Sequence, residues 1–142
     1  MENKDLILEE TPVDYVDWNY PYFKIEEMLC KHTGFLGYDA NFMDNLVLLR
    51  EKCGFGFPVS SYYRHPTHPI ESKKKNGGGT HTSGKAIDLS LDRERAFIVL
   101  RTALDMGCFL GIGIQQKGSG RFIHLDTCTA TEGLARPTIW SY

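Results

Sequence analysis

The chain has little of what would mark a zinc finger, a membrane protein or a broad nucleic-acid binder. Its four cysteines, Cys30, Cys53, Cys108 and Cys128, are scattered and form no Cys-x-x-Cys pair. That argues against a zinc ribbon and equally against a thioredoxin-type motif. No apolar run approaches the roughly 18 residues of a membrane helix, so no membrane insertion is expected. A basic excess is missing too: the net charge is −2, which gives no support to nucleic-acid binding. Gly111-Ile112-Gly113 lacks the further glycine and helix of a dinucleotide fingerprint and reads as a closely packed strand. The start, Met1-Glu2-Asn3-Lys4-Asp5, is polar and runs on to Glu9-Glu10, unlike a secretory signal. Cytoplasmic synthesis with free, mostly buried thiols is therefore the expectation, one disulfide remaining open if the protein acts outside the cell.

What is present suits one globular domain spanning residues 1–142, with 42% hydrophobic and 24% charged residues and neither repeats nor a low-complexity linker. Residues 1–21, rich in aromatics and broken by Pro12 and Pro21, read as an irregular lead-in. A short helix is expected from Phe23 to Lys31. A better one runs from Asp39 to Cys53, with Asp39 as cap, Phe42, Leu46, Leu49 and Cys53 at steps of three or four, and Gly54 as stop. Phe57 to Tyr63 and Ala86 to Leu91 read as strands, the first at an edge or strand start because of Pro58. Asp92 opens a second helix carrying Phe97, Leu100, Ala103 and Leu104 and closed by Gly107. Phe109 to Gln115 and Arg121 to Thr127 read as strands joined by Lys117-Gly118-Ser119-Gly120, and the tail from Arg136 to Trp140 as extended. The class is α+β: a small antiparallel sheet with helices on one side and a metal site on the sheet.

The chemistry concentrates in Thr80-His81-Thr82-Ser83-Gly84-Lys85-Ala86-Ile87-Asp88 and in Arg121-Phe122-Ile123-His124-Leu125-Asp126. Two-residue alternation puts Asp88 on the strand face opposite Ile87 and Leu89, and puts Phe122, His124 and Asp126 on one shared face. If the two strands are neighbours, Asp88 and His124 converge, and Gly84 lets the chain turn so that His81 folds back toward them. Two imidazoles and a carboxylate give Zn2+ three protein ligands and leave a fourth position for water, the pattern of a catalytic site. Asp126, two residues beyond His124, is the first candidate for the acid/base group; the alternative is that it orients a ligand imidazole. His65 and His68 read as loop decoration, Lys73-Lys74-Lys75 as a solvated loop, and Tyr62, Tyr63 and Trp140 as either cleft lining or core.

His81-x-x-Gly84-x-Ala86-x-Asp88 followed by a strand bearing His124 resembles the zinc peptidases that include D-Ala-D-Ala carboxypeptidases and phage L-Ala-D-Glu endolysins, which share a zinc fold with Hedgehog domains. Ser61-Tyr62-Tyr63-Arg64 is similar to that family's Ser-x-Tyr-Arg strand, Phe23 to Cys30 to its Phe-x-x-x-Glu-Phe opening, and Arg136-Pro137 to Trp140-Ser141 to a closing segment of small members. The similarity covers most of the chain from about Tyr22 onward. It implies His81, Asp88 and His124 as ligands and Arg64 as the group that grips a substrate carboxylate, a task for which a planar guanidinium is suited. Two positions depart from the family pattern. Arg121 stands where many members carry an acidic base, and Gly79 where many carry Ser.

The resulting expectation is a zinc metallopeptidase hydrolysing an amide bond in peptidoglycan stem peptides that contain D-amino acids, endolysin-like or carboxypeptidase-like. It would be made without a signal peptide and released by phage lysis or carried in a virion; a host cytoplasmic dipeptidase fits as well. The rival expectation is a non-catalytic zinc domain acting as a binding or phage structural module, which the Arg121 departure favours.

Overall fold

A computed structural model describes residues 2–10, 17–74 and 78–142. Part of the lead-in (11–16, with Pro12 and Tyr15) and part of the lysine–glycine loop (75–77) lie outside the described residues. In chain order the elements are β1 (Ile7–Glu9), α1 (Ile25–Met28), β2 (Leu36–Tyr38), α2 (Ala40–Cys53), β3 (Val59–Ser61), β4 (Ala86–Leu89), α3 (Arg93–Met106), β5 (Gly111–Gln115), β6 (Phe122–Asp126) and β7 (Thr138–Ser141). Five strands form one sheet in the order β3-β4-β6-β5-β7, and β1 and β2 pair in a second, two-stranded sheet. The α+β class holds. Among the described residues, no helix is long and apolar enough to cross a membrane.

Two details differ from the sequence expectation. The tail is a true strand, and β7 runs parallel to β5, so the sheet is mixed rather than antiparallel throughout. The lead-in is not wholly irregular, because Ile7–Glu9 pairs with Leu36–Tyr38.

Both long helices stop where their glycines stand. Gly54 (φ 77°) and Gly107 (φ 75°) take the left-handed conformation, and their N–H groups bond back to the Arg50 and Ala103 carbonyls. Asp39 takes the N-cap position of α2 without a side-chain hydrogen bond to the first turn. The buried residues of α3 are Ala96, Val99 and Ala103, whereas Phe97 and Leu104 are 62% and 58% exposed. Small residues therefore let this helix lie close to α2 and β6, which it contacts.

The register divides the sheet into two faces. Ile87, Leu125 and Ile112 form one row and Leu89, Ile123 and Ile114 the next. Ile87, Leu89, Ile123 and Leu125 are sealed in the core with Phe42, Leu46 and Leu49 of α2. Each such side chain contributes about 1.5–3 kcal/mol relative to exposure. The other face carries the row Ser61, Asp88, His124, Gly113 and Trp140, with Ala86, Asp126, Gly111 and Thr138 in the next row. A strongly apolar face thus anchors the sheet while the opposite face collects its polar groups.

Candidate metal centre

His81 reaches the sheet from a short 3-10 turn, Thr80–Ser83, closed by Gly84 at φ 72°. A Cβ on Gly84 would lie 2.9 Å from Leu6 Cδ1 and 3.0 Å from the Asp39 nitrogen, so the position needs glycine both for its conformation and for its space. Tyr62, buried in the core, holds the turn from both ends. Its hydroxyl donates to the Gly84 carbonyl at 2.7 Å, and its own carbonyl accepts from His81 Nδ1 at 2.6 Å. With Nδ1 as the donor, His81 Nε2 is left with its lone pair, 3.4 Å from Asp88 Oδ2.

Asp88 and His124 are direct cross-strand partners. His124 Nδ1 lies 3.0 Å from Asp88 Oδ1, and its Nε2 lies 2.7 Å from Asp126 Oδ2. The four groups are nearly sealed from solvent, with exposures of 4% for His81, 9% for Asp88, 3% for His124 and none for Asp126. Ligand atoms of His81, Asp88 and His124 all lie within 4.8 Å of one another.

The donor chemistry fits a cation. A neutral imidazole carries one proton; His124 gives it to Asp126 and therefore presents a lone pair to Asp88, as His81 does. Two lone pairs and a carboxylate facing one point repel one another unless a proton or a metal ion lies between them. Burial alone would push Asp88 upward, yet the His124 and His81 rings beside it outweigh that and hold its carboxyl well below the usual range. Burial would lower His124, but Asp126 and Asp88 reverse the direction and raise it. Both shifts describe the cluster with protons on the ring nitrogens that face Asp88, in the place that a metal ion would otherwise take. One carboxylate and two imidazole nitrogens are the donor types that zinc takes in open sites. The arrangement could hold a metal ion.

Asp126 lies behind His124, on the side of the ring away from Asp88. Arg136 grips it in a two-point fork, Nε to Oδ1 at 2.9 Å and Nη2 to Oδ2 at 2.8 Å, and the Cys128 N–H adds a third bond at 3.3 Å. Its oxygens are thus taken up by an imidazole, a guanidinium and an amide. Burial tends to raise Asp126, while His124 and Arg136 lower it, and the lowering wins. This position suits a residue that orients a ligand imidazole and does not suit the acid/base role that the sequence put first. A Cβ on Gly111 would collide with this carboxylate, so the first glycine of Gly111-Ile112-Gly113 makes room for it.

The second glycine makes room for Trp140. Strands sit about 4.8 Å apart, so a side chain on β7 must cross β5 to reach β6. It crosses at Gly113, whose added Cβ would lie 2.7 Å from the indole nitrogen. Trp140 thereby packs against His124 with centroids 5.1 Å apart, and the Arg136 guanidinium lies 5.3 Å from the centre of the Trp140 ring. Tyr142 continues this wall, 5.0 Å from Phe122.

Arg64 stands at the rim, with Nη2 4.0 Å from Asp88 and Nη1 3.7 Å from Glu71. Both distances exceed a hydrogen bond. Glu71, fully buried, takes bonds from Lys74 at 2.9 Å and from the Gly79 N–H at 3.0 Å. Glu71, Arg136 and the Tyr62 carbonyl had no assigned part in the sequence reading, since nothing local marks a loop glutamate or a backbone oxygen as a support. The signal for Arg136 was its place in the closing segment. Tyr62 and Tyr63 are core, 1% and 2% exposed. Arg121 bonds to the Gly118 carbonyl at 2.8 Å and lines a shallow hollow with Phe97, Leu100 and Ile123 on the helix side of the sheet, away from His81, Asp88 and His124. His65 Nδ1 engages Thr67 and His68 Nδ1 accepts from the Ile70 N–H, neither joining the cluster. The four cysteines are free, with Cys30 and Cys128 buried.

Comparison with protein-family models, with curated proteins and with solved structures found no match for this chain.

Proposed function

We propose that the chain is a zinc-dependent peptidase acting on peptidoglycan stem peptides, as its resemblance in sequence implies. The observation that carries the reading is the buried convergence of His81 Nε2, Asp88 and His124 Nδ1, each ring turned by a hydrogen bond on its other nitrogen. Zinc bound there would supply a water of pKa near 7 and polarise a substrate carbonyl.

The chain's own residues supply the rest. Tyr62 and Asp126 fix the two ring orientations before any ion arrives, which reduces the cost of ordering on binding. Arg64, with donors not saturated by Glu71 or Asp88, offers a fork for a substrate carboxylate beside the metal position. Trp140 walls the far side of His124 and keeps bulk water from that ring.

A second reading, a non-catalytic metal domain, is favoured by one observation: Asp126 is fully engaged and Arg121 lies on the opposite face. Incubation of zinc-loaded protein with muropeptides of several wall types, followed by mass spectrometry, separates the two. The peptidase reading expects cleavage at one amide bond that chelator abolishes and zinc restores. Intact muropeptides across all wall types, with zinc bound, would establish the second reading instead.

A further inference from the structure

A cavity of about 420 Å3 lies where residues 17–21, the end of β2 and α2 meet, lined by Asp17, Asn19, Tyr20, Tyr38 and Asp44 among others. It shares no residue with the metal centre. Two of its walls are aromatic. The Tyr20 and Tyr38 rings are inclined at 76° with centroids 5.9 Å apart, so they make a corner. Trp18 braces that corner, roughly perpendicular to both rings at 4.8 Å and 5.3 Å, and its indole N–H is tied to the Phe23 carbonyl at 2.7 Å. The corner is therefore set before any ligand arrives, which lowers the cost of binding.

The charge around the corner is negative. Asp17 and Asp44 line the space and no basic residue does. Asp17 accepts one bond from the Asn19 amide at 2.9 Å, and among the described residues every ion pair involves other groups. Burial, Tyr38 and Asp44 hold the Tyr20 phenol above its ordinary 10, and burial, Glu9 and Asp17 do the same for Tyr38. Both rings are thus neutral at pH 7 and present π faces, which attract cations. A hard metal ion fits poorly. Calcium takes about six to eight oxygens, and neither aspartate joins a group of three or more metal-type side chains among the described residues. A weakly hydrated organic cation loses less on leaving water and gains from ring faces and carboxylates together. The volume equals that of about fourteen waters, which accommodates an ammonium carrying methyl groups.

We propose that this corner is a binding site for a quaternary ammonium group, with its methyl groups against Tyr20 and Tyr38 and its charge offset by Asp17 and Asp44. The site is independent of the metal centre and of the peptidase reading. Such a cation offers no N–H to the carboxylates, so they act on it through space and binding weakens as salt rises. The aromatic faces supply the selectivity for an organic cation over an inorganic one.

The probe is choline, set against its uncharged analogue in which a tert-butyl group replaces the trimethylammonium. Each is titrated into the whole chain at constant ionic strength and followed by the ring-proton resonances of Tyr20 and Tyr38. Choline gives a saturable shift with an affinity about tenfold above that of the analogue. Asp44→Asn, on the exposed side of α2, weakens choline by about threefold or more. Tyr38→Leu abolishes the saturable shift at Tyr20, and Tyr38→Phe, which keeps the ring face, retains it. No saturable shift, equal affinity for the uncharged analogue, binding that Asp44→Asn leaves unchanged, or displacement of choline by an equal concentration of potassium or calcium would each overturn the proposal. Zinc uptake is measured separately on the same variants and stays at the wild-type level, so failure at this corner leaves the metal reading standing.

Discussion

His124 lies between two carboxylates, Asp88 on its Nδ1 side and Asp126 on its Nε2 side, in a setting almost closed to water. One proton cannot serve both, and that imbalance is what a metal ion would relieve. Asp126→Asn keeps the shape but weakens the acceptor behind the ring, so zinc affinity is expected to fall 10–100-fold, as for other supports of metal ligands. Competition with a chromogenic chelator measures it; unchanged affinity would mean that Asp126 does not orient His124. Removing Arg136 acts differently. Arg136→Ala leaves a buried carboxylate facing only an imidazole and an amide, with an expected loss of about 3–5 kcal/mol in denaturant unfolding. Glu71 gives a pH signature. Burial would raise its pKa, but the Lys74 ammonium and the Gly79 N–H outweigh this and hold it below the ordinary 4.5. A folded pKa below the unfolded one means stability that is complete above pH 4.5 and lost as pH falls through the folded value. Glu71→Gln should therefore cost about 1–3 kcal/mol at pH 7 and progressively less on acidification, read as converging thermal midpoints of variant and wild type.

At the scale of elements, the polar face depends on two glycines that keep β5 bare. Gly113→Ala would put a methyl 2.7 Å from the Trp140 indole nitrogen and push that ring off His124. The expected outcome is a loss of about 1–3 kcal/mol and a red-shifted tryptophan emission; an unchanged spectrum would contradict the packing described. How far these elements could be read from sequence follows from the range of the forces that make them. α2 and α3 were legible because periodicity and the left-handed glycines Gly54 and Gly107 are local. The strands β4 and β6 were legible because alternation sorts Ile87 and Leu89 from Asp88, and Ile123 and Leu125 from His124. β1 was not: three residues pair with partners Leu36–Tyr38 far along the chain. The parallel docking of β7 on β5 was hidden for the same reason, and so was the fork between Arg136 and Asp126 that decides what Asp126 can do. In α3, apolar identity misled, since Phe97 and Leu104 face solvent while Ala96, Val99 and Ala103 make the contact.

Across the whole molecule, one sheet separates two tasks. Its apolar face, sealed by α2 and α3, provides cohesion, and its other face gathers two histidines, two aspartates and two arginines from segments spread between residues 64 and 136. Two imidazole lone pairs facing the Asp88 carboxylate are costly without a cation between them, so binding should stabilise the fold as a unit. Zinc is expected to raise the thermal midpoint of the wild type, and chelator to return it. The most direct test of the central claim is a zinc titration of the metal-free protein by calorimetry, alongside His81→Ala and Asp88→Asn. The account predicts one zinc per chain in the wild type, with affinity at least about tenfold weaker in each variant while both remain folded. Wild-type protein that takes up no stoichiometric zinc, or variants that bind it as tightly as the wild type, would contradict it.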